Sequence, residues 1–220
     1  MGRNLVMAIY SHPEYYPPTL NAIDQLAPYY DKIIVLHRNI TGFDWEYPPN
    51  VHLVGPRKLK PVREVEKAGY LTKIFWFLQF CRMFIGLNRK YRPQALILYD
   101  CIPVLAYRIT RLFLFKPAIL WYHNHDVADS KYIRKYSINW FAWRSESWIF
   151  PRLQIFTLPS VERKQFFPME SLKGKFIFLP NYPSQKRYSS AFHKSSGEVR
   201  ILYQGSIGPL HGLEQMIPDR

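Results

Sequence analysis

The residue types most able to do chemistry in this chain gather at a few places. His123-Asn124-His125-Asp126 sets two imidazoles and a carboxylate directly behind an apolar run. Such a set can position a hydrogen bond, move a proton or, with further ligands, hold a metal. On an extended strand His123 and His125 project to the same face. Near the C-terminus Gly205-Ser206 and His211-Gly212 stand between a β-branched run and the start of a helical pattern. Glycine lets backbone N–H groups approach a ligand closely, and the helix N-terminus adds partial positive charge, so this turn favours a phosphate or pyrophosphate. Its spacing is neither that of the dinucleotide fingerprint nor that of a P-loop. His12 and Tyr15, in the loop after the first apolar run, are further candidates for ligand contact. The plain alternative for the histidine pair is a satisfied polar residue near the core. A metal hydrolase would need a second cluster of His, Cys or carboxylates, and none stands out; no metal and no other cofactor is expected.

The elements that must carry these residues are legible as short apolar runs alternating with longer helical patterns. Leu5–Tyr10, Lys32–His37, Val51–Val54, Ala95–Tyr99, Ala118–Tyr122 and Gln154–Leu158 read as strands, with a helix over about Thr19–Ala27. Pro103 suits the first turn of a helix after the fourth strand, and Ser160 an N-cap for Val161–Phe167. Continuous apolar strands separated by helices predict an α/β fold with a doubly wound parallel sheet. In such sheets ligands sit outside the carboxyl ends of the strands, where His12, Tyr15 and the His123–Asp126 run all fall. Polar residues from Tyr182 to Glu198 read as a linker, which divides the chain into a first domain over 1–183, a linker over 184–198 and the start of a second domain over 199–220.

Bulk composition narrows the partners. The 220 residues carry a net charge of +14 and are 17% aromatic, which points to an anionic or amphipathic partner. Two segments concentrate both properties: Tyr70–Tyr91 and Lys131–Arg152. A buried helix is the plain reading of the first; contact with an anionic membrane surface is the functional one. Nucleic acid is not expected as a partner, since no recognition motif accompanies the charge. Cys81 and Cys101 lie outside any Cys-x-x-Cys spacing and read as reduced packing residues of a cytoplasmic protein. The apolar stretch Ile74–Leu87 is shorter than the roughly 20 residues needed to span a bilayer.

Three segments in order carry a family resemblance. Ile201-Leu202-Tyr203-Gln204-Gly205-Ser206 with His211-Gly212-Leu213-Glu214 resembles the opening of the donor-binding domain of GT-B retaining glycosyltransferases of the family 4 type. Phe178-Leu179-Pro180-Asn181-Tyr182-Pro183 is similar to the segment closing their first domain, and Trp121–Asp126 to their strand ending in His-Asp. The chain departs from the pattern at His211, where the family has lysine, and in lacking a glycine pair after the first strand. The resemblance implies a Rossmann-like first domain that holds a glycan or lipid-linked acceptor, with His12 and Tyr15 beside it. It also implies a nucleotide-sugar donor whose diphosphate meets Gly205, Ser206, His211 and Gly212. His125 would hydrogen-bond the donor sugar, with Asp126 capping the next helix or orienting His125. On the same grounds residues 1–220 are expected to be inactive alone, as a shortened product or one half of an enzyme completed by a separate polypeptide, working in surface polysaccharide synthesis on the inner face of the membrane. The leading alternative is a non-catalytic Rossmann-like domain that binds an anionic ligand or a membrane surface.

Overall fold

The computed structural model describes residues 2–38, 46–56, 67–127, 131 and 133–182. Seven strands form one sheet, β1 (Asn4–Ile9), β2 (Lys32–His37), β3 (Val51–Val54), β4 (Ala95–Tyr99), β5 (Ile119–His123), β6 (Ile155–Leu158) and β7 (Lys175–Phe178), in the order β3-β2-β1-β4-β5-β6-β7. Every pairing is parallel. The helices are α1 (Pro17–Leu26), α2 (Tyr70–Tyr91), α3 (Cys101–Thr110) and α4 (Ile138–Ile149). This is the expected doubly wound α/β sheet, Rossmann-like in its winding. The linker over 184–198, the second-domain start over 199–220, and with them Gly205, Ser206, His211 and Gly212, lie outside the described residues.

Because side chains alternate along a strand, each apolar run feeds two cores. Val6, Ala8, Ile34, Leu36, Leu96, Leu98, Tyr122 and Phe156 face one way and pack under Phe77, Phe80 and Phe84 of α2 and Ala142 and Ile149 of α4. Leu5, Met7, Ile9, Ile33, Val35, Ile97 and Tyr99 face the other way, against Ile23 of α1. Burial on both faces is why these strands read as unbroken apolar runs. Cys81 belongs to the first core and Cys101 lies at its edge; both are free thiols. Burial pushes the Cys81 thiol up to about 12, so it is an inert packing group.

The differences from the sequence expectation have physical causes. The first, fifth and sixth strands and α1 are offset by one or two residues at their ends, where the ladder rather than hydrophobicity sets the limit. Residues 162–166 form a 3₁₀ turn rather than an α-helix, and the Ser160 hydroxyl donates to the Glu162 carboxylate instead of capping. With Pro159 before it and Pro168 after it, the segment is too short to propagate an α-helix. The edge strand β7 went unread because its residues are mostly exposed and lack a buried pattern. The helix α2 is not buried all round: Phe77, Phe80, Cys81 and Phe84 face the core, while Leu71, Phe75 and Leu78 are exposed.

Gly174 leads into β7 where the chain passes close to the start of β6. A Cβ there would lie 2.4 Å from the Gln154 carbonyl oxygen and 2.5 Å from that of Leu153, both backbone atoms that cannot swing aside. Gly174→Ala should therefore destabilise the fold by about 1–3 kcal/mol, the usual cost of overpacking. Urea titration checks this; an unchanged midpoint would show that β7 contributes nothing to the cooperative unit.

Candidate functional site

From β1 the chain winds one way to β2 and β3, and from β4 the other way to β7. The carboxyl ends of β1 and β4 therefore flank the switch point, the crevice where open α/β sheets bind ligands. Residues 10–16 follow β1 there, Asp100 follows β4, and residues 124–126 follow the neighbouring β5.

Asp100 is the hinge of this crevice. It links the last residue of β4 to the first of α3 with φ 62° and ψ 178°, a conformation that side chains rarely adopt and that costs on the order of 1–3 kcal/mol. Its N–H donates to the His123 carbonyl at 2.9 Å. Its carboxylate makes no cap on α3 and turns instead to His125, accepting from the backbone N–H at 2.7 Å and meeting ring Nδ1 at 3.0 Å. A carboxylate partner makes Nδ1 the protonated nitrogen, so in the neutral ring Nε2 is the acceptor. Nε2 lies 3.1 Å from the hydroxyl of Thr19, a fully buried residue in the first turn of α1. Asp100, His125 and Thr19 thus form a hydrogen-bonded line from β4 through the β5 loop to α1.

Aromatic rings enclose that line. The His125 ring stacks between Tyr16 and Tyr99, with centroids 4.3 and 5.1 Å away, and meets His123 edge-on at 4.6 Å. His125 is only 5% exposed. Burial raises the Tyr99 and Tyr16 phenols above their ordinary range, and their hydroxyls meet Thr19 and Ser11 respectively.

His123 is fixed more firmly still. Its Nδ1 lies 2.6 Å from the Thr157 hydroxyl, which also accepts the Trp121 indole N–H at 2.8 Å. The threonine hydroxyl, with one proton and two lone pairs, serves the indole and Nδ1 together, which leaves the ring's Nε2 on its own. That atom is buried without a hydrogen-bond partner. Burial, and then the neighbouring His125, hold the His123 pKa well below the ordinary imidazole value, so it is neutral. Among the described residues no group of three or more His, Cys, Asp or Glu is placed to bind a metal.

The remaining predicted residues are dispersed around the rim. His12 is 8% exposed and lies against Tyr15, the rings tilted with centroids 4.6 Å apart, while Tyr15 is half in solvent at 52%. Burial lowers the His12 pKa, against the pull of Glu14. Asp126 is turned outward, 80% of its side chain exposed, and pairs with Arg163 at 3.9 Å. The carboxylate that orients His125 is Asp100, and Arg163 donates to the His125 carbonyl. Sequence reading missed Asp100, Thr19, Tyr16 and Arg163 as site members. Asp100 had a usable signal, a carboxylate directly after a neighbouring strand; Thr19 had none, lying 106 positions from its partner. Arg38, over the rings of Tyr10 and Trp76 at 4.9 and 4.8 Å, closes the β2 side of the rim. Glu14 Oε2, Arg38 Nη2 and Asn124 Oδ1 join His123 Nε2 as buried polar atoms without a hydrogen-bond partner. All four belong to loops or strand ends on the carboxyl side.

Comparisons with known proteins fit this geometry at the level of fold. No family model and no curated protein sequence matches the chain. A structure of sucrose-phosphate synthase from Thermosynechococcus elongatus is similar at 12% identity and a TM-score of 0.54, with 86% of this chain and 94% of that one covered. A second structure of that enzyme has the same identity and TM-score, and there the match covers 52% of the chain. UGT2 of Phytolacca americana, complexed with UDP-2-fluoro-glucose and pterostilbene, is similar at 7% identity and a TM-score of 0.52, covering 86% of this chain and 56% of that one. The chain thus spans about half the length of the latter two. At these identities the likeness shows a shared Rossmann-like fold and nothing finer.

On the opposite face of the sheet a second polar chain backs the site. Asn124 Nδ2 donates to the Tyr122 hydroxyl at 3.0 Å, and that hydroxyl donates to Glu146 of α4. Burial raises the Glu146 carboxyl from its ordinary 4.5 to about 7, against the Tyr122 hydrogen bond. The folded chain therefore holds a proton that the unfolded chain releases between those values. Stability from this group is complete below pH 4.5 and is lost as pH rises through about 7. The loss should be on the order of 2 kcal/mol, since a shift of one unit is worth about 1.4 kcal/mol and the carboxyl is not wholly enclosed. Glu146→Gln keeps an acceptor for Tyr122 and should flatten this pH dependence in thermal melts between pH 5 and 8. An unaltered slope in the variant would place the titrating group elsewhere.

Proposed function

We propose that the protein is a GT-B-type glycosyltransferase that moves a sugar from a nucleotide donor to a hydroxyl of a glycan or lipid-linked acceptor, the described domain supplying the acceptor side of the cleft. The observation that carries this reading is the Asp100–His125–Thr19 line at the switch point of a sheet whose fold is shared with sucrose-phosphate synthase and UGT2. The nucleotide-sugar named with UGT2 supports the donor class by analogy. Tyr15, half exposed and set against the tilted ring of His12, offers an apolar face of the kind a sugar ring packs against.

In this reading Asp100 holds the His125 ring and its tautomer, and the acceptor-side role of His125 is exercised when a ligand hydroxyl takes the place of Thr19 at Nε2. The uncapped first turn of α3 and Arg38 add positive potential to the same crevice, which favours a diphosphate leaving group. Gly205, Ser206, His211 and Gly212 are proposed to meet that diphosphate, on the strength of their resemblance alone. The competing reading, a domain that binds an anionic ligand without catalysis, would use the same crevice.

The two readings part in a transfer assay. With the complete enzyme, including any separate polypeptide that supplies the donor domain, and a panel of nucleotide-sugars, His125→Ala should lower turnover by about 10²–10³-fold, the usual cost of one positioned transition-state hydrogen bond. Asp100→Asn should lower kcat with little change in donor affinity, because Asp100 positions the ring without meeting the donor. Calorimetric binding of a nucleotide-sugar without turnover in any pairing would establish the non-catalytic domain; equal rates for His125→Ala and its parent would remove His125 from the site.

A further inference from the structure

At the end of the sheet remote from Asp100 and His125, the turn from α3 to β5 presents an unusual surface. Leu112 is 83% exposed, Phe113 55% and Phe115 43%, and Ile109 of the preceding turn is 54% exposed. Apolar side chains this open in a loop ordinarily mark a site of interaction. The turn is not frayed. Asn88, fully buried in α2, clamps the Phe115 backbone, accepting from its N–H at 2.6 Å and donating to its carbonyl at 3.3 Å. Beside it Arg89 Nε donates to the Phe113 carbonyl at 3.0 Å. Two consecutive residues of α2 thus hold the apolar turn outward.

Cations without acid partners frame it. Arg92 lies over Phe115 at 4.5 Å and Arg89 over Phe113 at 6.0 Å. Three further guanidiniums converge on one indole: Arg108, Arg111 and Arg152 lie 5.6, 5.2 and 4.2 Å from the centroid of Trp148. Among the described residues none of these five arginines is in an ion pair with a carboxylate; the ion pairs there are His125–Asp100 and Arg163–Asp126. Like charges gathered on aromatic rings, with no acid to neutralise them, repel one another and are relieved by an external anion.

We infer that the Arg111–Lys116 turn, with the arginines around Trp148, docks on the surface of an anionic lipid bilayer. Leu112, Phe113 and Phe115 enter the boundary between headgroups and acyl chains, and Arg108, Arg111 and Arg152 meet lipid phosphates. A nucleic acid would satisfy the arginines and leave Leu112 and Phe113 facing water. A second copy of this chain, itself at +14, would be repelled. Tryptophan and arginine beside exposed aliphatic and phenyl groups are the composition that settles at a membrane interface. The patch lies at the amino ends of the strands, so docking leaves the carboxyl-end crevice open, and the inference stands independently of what that crevice does.

The test is flotation of the full chain with vesicles of phosphatidylcholine, alone or mixed with phosphatidylglycerol. The parent should float with the mixed vesicles only, and release as salt is raised. Replacing the Trp148 arginines together (R108Q, R111Q, R152Q) should weaken binding by on the order of 100-fold, at about fivefold for each cation near the surface. L112S with F113S changes only side chains that are more than half exposed, so the melting temperature should hold while flotation is lost. Parent-like flotation of both variants, equal recovery with neutral vesicles, or binding of a short nucleic acid by a parent that floats with neither vesicle would each overturn the proposal.

Discussion

Asp100 must turn β4 into α3 within a single residue, and it does so in a backbone conformation that would be unfavourable without help. The help comes from its own carboxylate, which cannot reach back to cap the helix and instead grips both the backbone and the ring of His125. That grip ties the β4 end to the β5 loop. Through Nε2 and Thr19 it extends to α1, across the point where the winding of the sheet reverses. The stacking of Tyr16 and Tyr99 on the ring follows from the same placement. If the carboxylate were lost, the strained turn, the ring orientation and the anchorage of α1 would loosen together, and so the crevice is best regarded as one object.

The sheet separates two kinds of polar order. On the α1 face, the polar groups converge on His125 and His123, the one held by a carboxylate that accepts, the other by a hydroxyl it shares with an indole. On the α4 face, Asn124, Tyr122 and Glu146 form a chain that ends in a carboxyl with a raised pKa. The loop after β5 belongs to both, since Asn124 and His125 are consecutive and turn to opposite sides. A change of protonation at Glu146 therefore acts on the far side of the same loop that carries His125.

The sheet was legible in the sequence because its strands are buried on both faces, and a strand covered on both faces can carry apolar residues without a break. The His123–Asp126 segment stood out as a candidate for a related reason: polar residues directly after a buried strand must be satisfied or used. What could not be read was which carboxylate serves His125. Asp126 is adjacent in sequence but is carried outward by the turn, whereas Asp100 is brought in by parallel pairing of β4 with β5, where Tyr99 lies beside His123. Helix α2 misled in part, since aromatic residues on its outer side have the same composition as those on its inner side. The strand β7 was hidden by exposure, and the 3₁₀ turn after β6 by prolines whose effect is on length rather than on pattern.

All seven strands run parallel, and this has a bearing on how the chain comes to be folded. Parallel neighbours cannot be joined by a tight turn, and β1 pairs Leu5 with Ala95 as well as with Ile33. The first of these contacts closes a loop that contains α1, β2, β3 and α2, so it is won late and against considerable chain entropy. Thr19 and His125 meet only after that closure, and Asp100 reaches its unusual turn only once β4 is seated between β1 and β5. The crevice is therefore built from segments far apart in the chain, and its assembly carries the chain entropy of that long closure.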